Sequence, residues 1–535
     1  MSPIIFKRDD NMKILLKALH IKQHVQDRLL LNIDRLQIYQ NDRIGLVGKN
    51  GSGKTTLLHI LDKKSFPEEG TVTQYSRCEL IPQLKYMETT KSGGEVTQKY
   101  IQQSLVKKPE LLLADEPTTN LDTNYIESLE RKLKDWHGAF IIVSHDRAFL
   151  DALCTTIWEI KDGDLIEYKG NYSDYIEQKE LEGRQAQLAY EKYEKKKEQL
   201  EEAVKLKEEK ANRATKKPKN LSSSEARLKG AKTYFANKQK KLQKTAKSLE
   251  TKVDKLEKVE RTKELPSLKM DILNSENFKN RIILRVEDVS GVIEERILWK
   301  AANFNVRGGD KLAIIGSNGT GKTTFIKKIL QDKPGISLSP SVKIGYFSQN
   351  LDILELDKTI LENVQSSSRQ NETFIRTILA RMHFFRDDVH KPVNVLSGGE
   401  RVKVALVKVF LSNVNTLVLD EPTNFLDMEA IEAFESLLEE YEGSVIFVSH
   451  DRRFIEKIAT RIMIIDNKEI KIFEGTYSQF KDRKAKEETR DEKENKKLLL
   501  EMRIAETISR LSIEPSEELE KEFQNLTNEK RKLDN

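Results

Sequence analysis

A glycine-rich segment that occurs twice is the feature that most constrains the fold of this chain. Residues 48–56 read GKNGSGKTT and residues 316–324 read GSNGTGKTT. Each copy directly follows a short apolar run, residues 43–47 (RIGLV) and residues 311–315 (KLAII). A strand, the pattern GxxxxGK[ST] and then a helix is the context of a phosphate-binding loop. Two such loops in one chain predict two α/β domains of the P-loop type.

The residue types in both loops suit a nucleoside triphosphate. Glycines let backbone N–H groups approach the phosphates, and the N-terminus of the next helix adds partial positive charge. Lys54 and Lys322 are expected to reach the β- and γ-phosphates, and Thr55 and Thr323 to place a hydroxyl on Mg²⁺. ATP and Mg²⁺ are therefore the predicted cofactors. The predicted nucleotide-binding residues of the loops are Gly48, Asn50, Gly51, Gly53, Lys54, Thr55 and Thr56, and Gly316, Asn318, Gly319, Gly321, Lys322, Thr323 and Thr324.

Three further motifs repeat in the same order. In both copies an apolar strand ends in Asp-Glu, a histidine follows the aspartate by 30 residues, and the sequence SGGE starts 23 residues before it. These residues are Asp115, Glu116, His145 and 92–95 in the first copy, and Asp420, Glu421, His450 and 397–400 in the second. An Asp-Glu pair at a strand end supplies a carboxylate for Mg²⁺ and one that polarises the attacking water. The chain is therefore predicted to be a duplicated ATPase.

The four motifs resemble those of the ATP-binding cassette (ABC) family. In that family two cassettes close head to tail, so that the SGGE signature of one caps the nucleotide on the phosphate loop of the other. The resemblance implies that Ser397 and Gly399 face the nucleotide of Lys54. Likewise, Ser92 and Gly94 would face the nucleotide of Lys322. It implies a monomer in which the two cassettes pair within one chain.

The resemblance also gives each motif residue a role, including the glutamine of the segment known as the Q-loop. The residues implied in catalysis are Glu116, Glu421, His145, His450, Gln83 and Gln349. The residues implied around the metal are Thr55, Gln83, Asp115, Thr323, Gln349 and Asp420.

The two copies are unequal in length. From the loop lysine to the signature serine there are 38 residues in the first copy and 75 in the second, and nearly all of the difference follows the Q-loop. The first cassette is therefore expected to lack most of a helical subdomain. Its signature begins with Lys91 where the second has Leu396, so a degenerate site beside Lys322 stays open as an alternative. The family usually stacks an aromatic residue on the adenine ahead of the phosphate loop, but the corresponding stretches here are His24-Val25 and Val292-Ile293.

A strongly basic segment separates the two copies. Residues 210–240 hold ten Lys or Arg and one acid, Glu225, whereas the net charge of the whole chain is +6. The flanking sequence, rich in Glu, Lys, Gln and Ala, predicts two antiparallel helices, residues 175–216 and 227–262, each on the order of 50 Å long. Alternating charges on those flanks are typical of a solvated face. The acid-poor tip with interspersed apolar residues instead favours RNA binding. The predicted RNA-binding residues are Arg213, Lys216, Lys217, Lys219, Arg227, Lys229 and Lys232.

The sequence also predicts which side chains pack together in the arm helices and in the C-terminal helices. Leu242, Leu249, Val253 and Leu256 are predicted to face Ala189, Tyr193, Leu200 and Ala203 across the pair. Residues 497–512 are predicted to form an amphipathic helix with Leu499, Met502, Ile508 and Leu511 on one side, ended by Pro515 and followed by a second helix.

These patterns predict four domains and exclude some classes. The fold class is α/β, with two P-loop cassettes (residues 1–174 and 266–480), a helical-hairpin arm (175–265) and a C-terminal helical extension (481–535). No apolar run approaches the roughly 18 residues of a membrane span. Acids follow the apolar patch near the N-terminus, so no export signal is expected. The two cysteines, Cys78 and Cys154, have no metal-ligand spacing and are expected to pack in the interior.

Two cassettes joined by a helical arm resemble the ABC-F proteins. The segments KSGGEVTQKYI, ATKKPKNLS, ISLSPSVKIGYFSQ and ILARMHFFRDDV resemble the Vga-type antibiotic resistance members. The resemblance implies a cytoplasmic protein that binds the E site of the bacterial ribosome with ATP bound and contacts 23S rRNA. It further implies displacement of the P-site tRNA and of streptogramin A, lincosamide or pleuromutilin drugs. A housekeeping ABC-F translation factor, the ATPase subunit of a drug exporter and a DNA-repair ATPase remain as alternatives.

Overall fold

The computed structural model describes residues 13–25, 27–83, 93–119, 121–213, 231–254, 256, 279–331, 333–348, 351–513 and 516–534. The chain divides into two compact units. One unit comprises Met1–Asn171 with Leu268–Asn535, and the other comprises Tyr172–Ser267. The first unit holds both cassettes and the C-terminal helices, and the second unit is the arm.

The first cassette contains nine strands and four helices in its described part. Its strands are β1 (Ile14–Val25), β2 (Arg28–Tyr39), β3 (Arg43–Gly48), β4 (Glu69–Gln74), β5 (Cys78–Ile81), β6 (Leu111–Asp115), β7 (Ala139–Val143), β8 (Thr156–Lys161) and β9 (Asp164–Lys169). Its helices are α1 (Lys54–Leu61), α2 (Gly93–Val106), α3 (Thr123–Lys134) and α4 (Arg147–Leu153).

The arm consists of α5 (Tyr172–Arg213) and α6 (Ala231–Asp254), which pack against each other. The predicted pairing of the two helices is wrong in part. Val253 shares a small cavity with Val204, the neighbour of the predicted Ala203, whereas Ala189 is exposed. The described part of each helix also buries an alanine, Ala211 in α5 and Ala246 in α6. With so few apolar residues among the charges, several alignments of the two helices bury similar apolar area, so the sequence pattern did not fix one.

The second cassette repeats the strand order of the first and adds helices. Its strands are β10 (Ile282–Ile293), β11 (Arg296–Arg307), β12 (Lys311–Gly316), β13 (Ile336–Leu338), β14 (Ile344–Phe347), β15 (Thr416–Asp420), β16 (Ser444–Val448), β17 (Arg461–Asp466) and β18 (Glu469–Glu474). Its helices are α7 (Lys322–Leu330), α8 (Ile360–Gln365), α9 (Glu372–Arg381), α10 (Gly398–Phe410), α11 (Met428–Glu440) and α12 (Arg452–Ile458), with 3₁₀ turns at Arg386–His390 and Val393–Val395.

The same two sheets build each cassette. The six-stranded sheets have the orders β5-β6-β7-β3-β8-β9 and β14-β15-β16-β12-β17-β18. Each is parallel except for its last strand, β9 or β18, which pairs antiparallel at one edge. The central strands β6, β7, β15 and β16 are buried at every residue, as expected for parallel strands covered on both faces. A three-stranded antiparallel sheet, β2-β1-β4 or β11-β10-β13, completes each cassette.

The helical subdomain is well developed in the second cassette only. There α8 and α9 and the two 3₁₀ turns lie between β14 and the signature helix α10. Thr359 and Ser397 begin α8 and α10 with reciprocal capping boxes to Glu362 and Glu400. The first cassette has only eight residues between Gln83 and Ser92, too few for an equivalent pair of helices.

Two helices follow the second cassette, α13 (Tyr477–Ile513) and α14 (Glu517–Asp534), and they pack together. The predicted apolar side is wrong in part, since Leu499 and Met502 are each 62% exposed. The buried contacts come from Leu500 and Thr507 instead. Because residues 498–500 are all leucine, the sequence fits three different helix faces, and packing against α14 selects one of them. In the part of the chain that the structure describes, no helix is long and apolar enough to cross a membrane.

Candidate functional site

The first phosphate loop wraps around the ammonium group of Lys54. Gly53 adopts φ 100°, a left-handed conformation that glycine allows, and begins α1. The Lys54 Nζ donates to the carbonyls of Gly48 (2.7 Å) and Lys49 (2.9 Å). Two carbonyls of the loop therefore hold the ammonium group next to a helix N-terminus that favours anions.

The second loop repeats this geometry closely. Gly321 also has φ 100° and begins α7, and the Lys322 Nζ donates to the carbonyls of Gly316 (2.8 Å) and Ser317 (3.1 Å). Burial lowers the pKa of both Lys54 and Lys322, and the neighbouring glutamates oppose that shift. The two loops are thus equivalent in their local chemistry.

A glutamate and a histidine lie together at the edge of each central sheet. Glu116 (φ 52°) and Glu421 (φ 51°) adopt left-handed backbone conformations directly after β6 and β15, which turn their side chains into the site. The backbone N–H of His145 donates to Glu116 Oε2 at 3.1 Å. The His145 Nε2 lies 3.3 Å from Glu116 Oε1, and the His450 Nε2 lies 3.3 Å from Glu421 Oε1. Each sequence-predicted glutamate is therefore in contact with its predicted histidine.

The electrostatic surroundings of the carboxylates are set by burial. Burial raises the pKa of Asp115 and Asp420, while hydrogen bonds from Thr55 and Thr323 oppose the shift. Burial also raises the pKa of Glu421 to about 7 and, with Lys322 nearby, lowers the pKa of His450 to about 3. A neutral His450 can accept or donate a hydrogen bond without adding charge to the site.

A cavity of about 1040 Å³ brings residues of both cassettes together around the first loop. Lys54, Thr55, Gln83, Glu116 and His145 line it from the first cassette. Ser397, Gly399 and Glu400 line it from the second. The signature of the second cassette therefore faces the loop of the first, which is the head-to-tail arrangement.

The opposite loop also contacts the other cassette, through the segment that follows the Asp-Glu motif. The backbone N–H of Asn318 donates to Asp122 Oδ2 at 3.1 Å. At the first loop a different contact joins the corresponding segments, from Asn50 Nδ2 to the carbonyl of Phe425 at 3.4 Å. Each phosphate loop therefore touches the segment after the Asp-Glu motif of the other cassette.

Some predicted site residues cannot be placed. Ser92, Gln349, Lys216, Lys217, Lys219, Arg227 and Lys229 lie outside the described residues. Gly94 is in the first turn of α2, and Lys232 is in α6. Arg213 is the last residue of α5, and its exposed guanidinium lies 3.6 Å from the Glu209 carboxylate, within its own helix.

Sequence reasoning missed several residues at the cassette interface. Met382, His383 and Phe384 line the cavity from the end of α9, and a buried ion pair joins Lys403 Nζ to Asp427 Oδ2 at 3.1 Å. Only one sequence signal pointed to further interface residues: an arginine follows each motif histidine by two positions, at Arg147 and Arg452.

Comparisons with known proteins agree with this architecture. A family model described as ABC transporter matches residues 31–79 and 299–424, and a second model of that description matches residues 158–270. The chain is 31% identical to the ribosome protection protein VmlR of Bacillus subtilis (strain 168) over 98% of this chain and 99% of that protein. The chain belongs to the ABC-F family. Like other members, this ABC-F protein is an ATPase with two ABC cassettes.

Two further likenesses concern the family and the fold of this ABC-F protein. The erythromycin resistance ATP-binding protein MsrA of Staphylococcus epidermidis is 34% identical, with 83% of this chain and 96% of that protein covered. Among solved structures, the archaeal ribosome recycling factor aABCE1, in complex with the ribosomal stalk protein aP1, matches with a TM-score of 0.58. That match covers 87% of this chain and 92% of the other at 17% identity, so it shows the fold alone.

The closed geometry makes a prediction at Gly399. A Cβ added there would lie 3.1 Å from Asn50 Nδ2 of the first cassette and 2.9 Å from the carbonyl oxygen of Phe425 in its own cassette. We expect Gly399→Val to keep the cassettes from closing over Lys54 and to reduce ATP turnover by about tenfold or more. Steady-state phosphate release checks this. Gly398→Ala is the comparison, because a Cβ there meets no protein atom within 4 Å. Equal turnover in wild type and Gly399→Val would contradict the closed geometry.

Proposed function

We propose that this protein uses ATP binding and hydrolysis to protect bacterial ribosomes from antibiotics. Its binding site would be the E site of the large subunit, and the drugs would be streptogramin A, lincosamides and pleuromutilins. The observation that carries the proposal is the pairing of two ATP sites with a separately compact helical arm whose central segment is strongly basic. The names of VmlR and MsrA, a ribosome protection protein and an erythromycin resistance protein, support it.

The catalytic step follows from the site residues. Lys54 and Lys322 neutralise charge on the transferred phosphate, Glu116 and Glu421 orient the attacking water, and the two histidines contact the γ-phosphate. Mg²⁺ would supply further charge neutralisation when bound.

The residues near each loop fit Mg²⁺. The buried Asp115 Oδ2 has no hydrogen-bond partner, and the Thr323 hydroxyl lies 3.3 Å from Asp420 Oδ1. Within the described residues no three His, Cys, Asp or Glu side chains cluster to hold a metal by themselves. A carboxylate and a hydroxyl at each loop, Asp115 with Thr55 and Asp420 with Thr323, would hold Mg²⁺ together with the phosphates of ATP.

ATP would control how long the protein stays on the ribosome. In the closed state the arm contacts 23S rRNA through its basic residues, and its tip displaces the P-site tRNA and the drug near the peptidyl-transferase centre. Hydrolysis reopens the cassettes and releases the protein. The ribosome can drive this cycle only if it binds the closed state more tightly than the open state. The protein would then be cytoplasmic and ribosome-associated.

A purified translation assay tests the proposal. Ribosomes inhibited by a lincosamide are expected to regain reporter synthesis when the protein and ATP are added. Synthesis that stays inhibited, together with lower drug accumulation in cells that express the protein, would favour an exporter subunit. Inhibited synthesis with unchanged drug accumulation and tight ribosome binding would favour a housekeeping translation factor. Either result would overturn drug protection.

A further inference from the structure

The two motif histidines, His145 and His450, lie in the same four-residue sequence, Ser-His-Asp-Arg, so an aspartate and an arginine follow each of them. Asp146 and Asp451 cap α4 and α12 by accepting from the backbone N–H groups of Phe149 and Phe454. Arg147 and Arg452 are the first residues of those helices, which pack against each other across the cassette interface. The proposed ATPase chemistry uses the histidines and leaves both Asp-Arg pairs without a role.

Arg147 reaches across the interface to α11 of the second cassette. Its Nη1 donates to Glu435 Oε2 at 3.2 Å, and its Nη2 contacts Glu435 Oε1. Both side chains are almost fully buried, with 6% and 1% exposed. Removing one partner of a pair this deep is costly, because the other charge stays buried and loses its closest partner. On the side of Glu435, Lys457 Nζ also lies 3.3 Å from Oε2 and belongs to the same cassette.

Arg452 makes the reciprocal contact to α3 of the first cassette. Its Nη2 contacts Glu130 Oε1, and the two side chains are 15% and 11% exposed. Each arginine also approaches the aspartate beside the other histidine, with Arg147 Nη2 to Asp451 Oδ2 and Arg452 Nη2 to Asp146 Oδ2 both at 3.7 Å. The two histidine segments are therefore in direct ionic contact.

The same contacts connect to the segments that touch the phosphate loops. Glu435 lies in α11, which Asp427 caps, and Asp427 lines the cavity around the first loop. Glu130 lies in α3, which Asp122 caps, and Asp122 accepts from the backbone of Asn318 in the second loop. Each arginine thus joins the histidine segment of one cassette to the segment of the other cassette that lies beside a phosphate loop.

We propose that Asp146, Arg147, Asp451 and Arg452, together with Glu130 and Glu435, form an interface charge cluster that couples the two ATP sites. The six residues are positioning residues, which hold both histidine segments in place only when the cassettes are closed. Opening at one site breaks ion pairs that the other site also uses. The two nucleotides are therefore released together.

A double-mutant cycle on the full-length protein tests the cluster without ribosomes, so its outcome is independent of the proposed drug protection. The probe is a fluorescent non-hydrolysable ATP analogue, and the readout is its release rate after dilution into unlabelled ATP. Arg147→Met and Glu435→Gln are each expected to accelerate release by at least about tenfold. The double variant should release no faster than the faster single variant, since both changes remove one contact.

Arg453→Met is the matched control. Arg453 also pairs across the interface, with its Nη2 2.9 Å from Asp151 Oδ2, but the side chains of Arg453 and Asp151 are each about a third exposed. Because exposed ion pairs contribute little, the release rate should change less than about twofold. Both bound analogues should accelerate together. Multiplicative effects of the two single changes, acceleration of only one of two bound analogues, or an equal effect of Arg453→Met would overturn the proposal.

The less buried pair provides an independent cycle. Arg452→Met and Glu130→Gln should show the same non-additivity, and this cycle decides the question if Arg147→Met lowers the midpoint of thermal unfolding. Additive release rates in a folded Arg452→Met, Glu130→Gln protein would overturn the coupling.

Discussion

Replacing both Glu116 and Glu421 with glutamine is expected to reduce ATP turnover by about 10²–10⁴-fold, the usual contribution of a positioned catalytic acid or base. Each carboxylate lies at the end of a central strand, in contact with a motif histidine and close to the loop lysine. Glutamine keeps the size and hydrogen-bonding capacity of the side chain, so nucleotide binding should persist. The variant should therefore accumulate in the closed, ATP-bound state.

The measurement is steady-state phosphate release together with equilibrium binding of a fluorescent ATP analogue. Glu110→Gln and Glu469→Gln provide the control, because both side chains are about half exposed and each pairs with an exposed lysine, Lys13 or Lys471. Turnover in Glu116→Gln, Glu421→Gln protein equal to that of the control would show that other residues activate the water.

Replacing residues 216–229 with a Gly-Ser segment of equal length is expected to abolish drug protection while the ribosome-free ATPase rate changes less than about twofold. The substitution removes five of the seven predicted RNA-binding residues. The arm is a compact unit separate from the cassettes, so the ATP sites keep their contacts. Protection is measured in the lincosamide-inhibited translation assay, and the ATPase rate in the same preparation.

The control for this change neutralises charge elsewhere on the arm. Lys195→Gln with Lys196→Gln alters two exposed residues in the middle of α5, where acids and bases alternate. Protection should remain close to that of the wild type, because such charges face solvent. Full protection by the protein that lacks residues 216–229 would contradict a role of the tip in dislodging the drug.

The architecture followed from the sequence because its signals are local and repeated. A buried strand, a glycine-rich loop and a helix define the centre of each cassette. Because the same motifs recur in the second copy, the prediction of an ATP-binding cassette did not rest on one match alone. The pairing of the two arm helices and the buried side of α13 were harder to predict from the sequence. Both depend on which apolar residue meets a partner helix, and a run such as Leu498 to Leu500 offers several nearly equivalent choices.

In the candidate site, too, some residues could be predicted from local motifs and others could not. The loops, Asp-Glu pairs and histidines are contiguous motifs, so their residues could be named before the fold was known. The contacts of Arg147 with Glu435 and of Arg452 with Glu130 join residues about 300 positions apart, and only the closed pairing of the cassettes brings them together. No spacing rule links such residues, although the repeated arginine after each histidine marked one side of each pair.

ATP-controlled ribosome binding is tested by co-sedimentation of the Glu116→Gln, Glu421→Gln protein with bacterial ribosomes, with and without ATP and across a salt series. The protein is expected to pellet with ribosomes only when ATP is present. Its binding constant should fall steeply with salt, with a slope of log K against log salt concentration of about −0.7 to −0.9 for each phosphate contacted. Ribosome binding that is absent under all conditions, or identical with and without ATP, would contradict an ATP-controlled ribosome-binding protein.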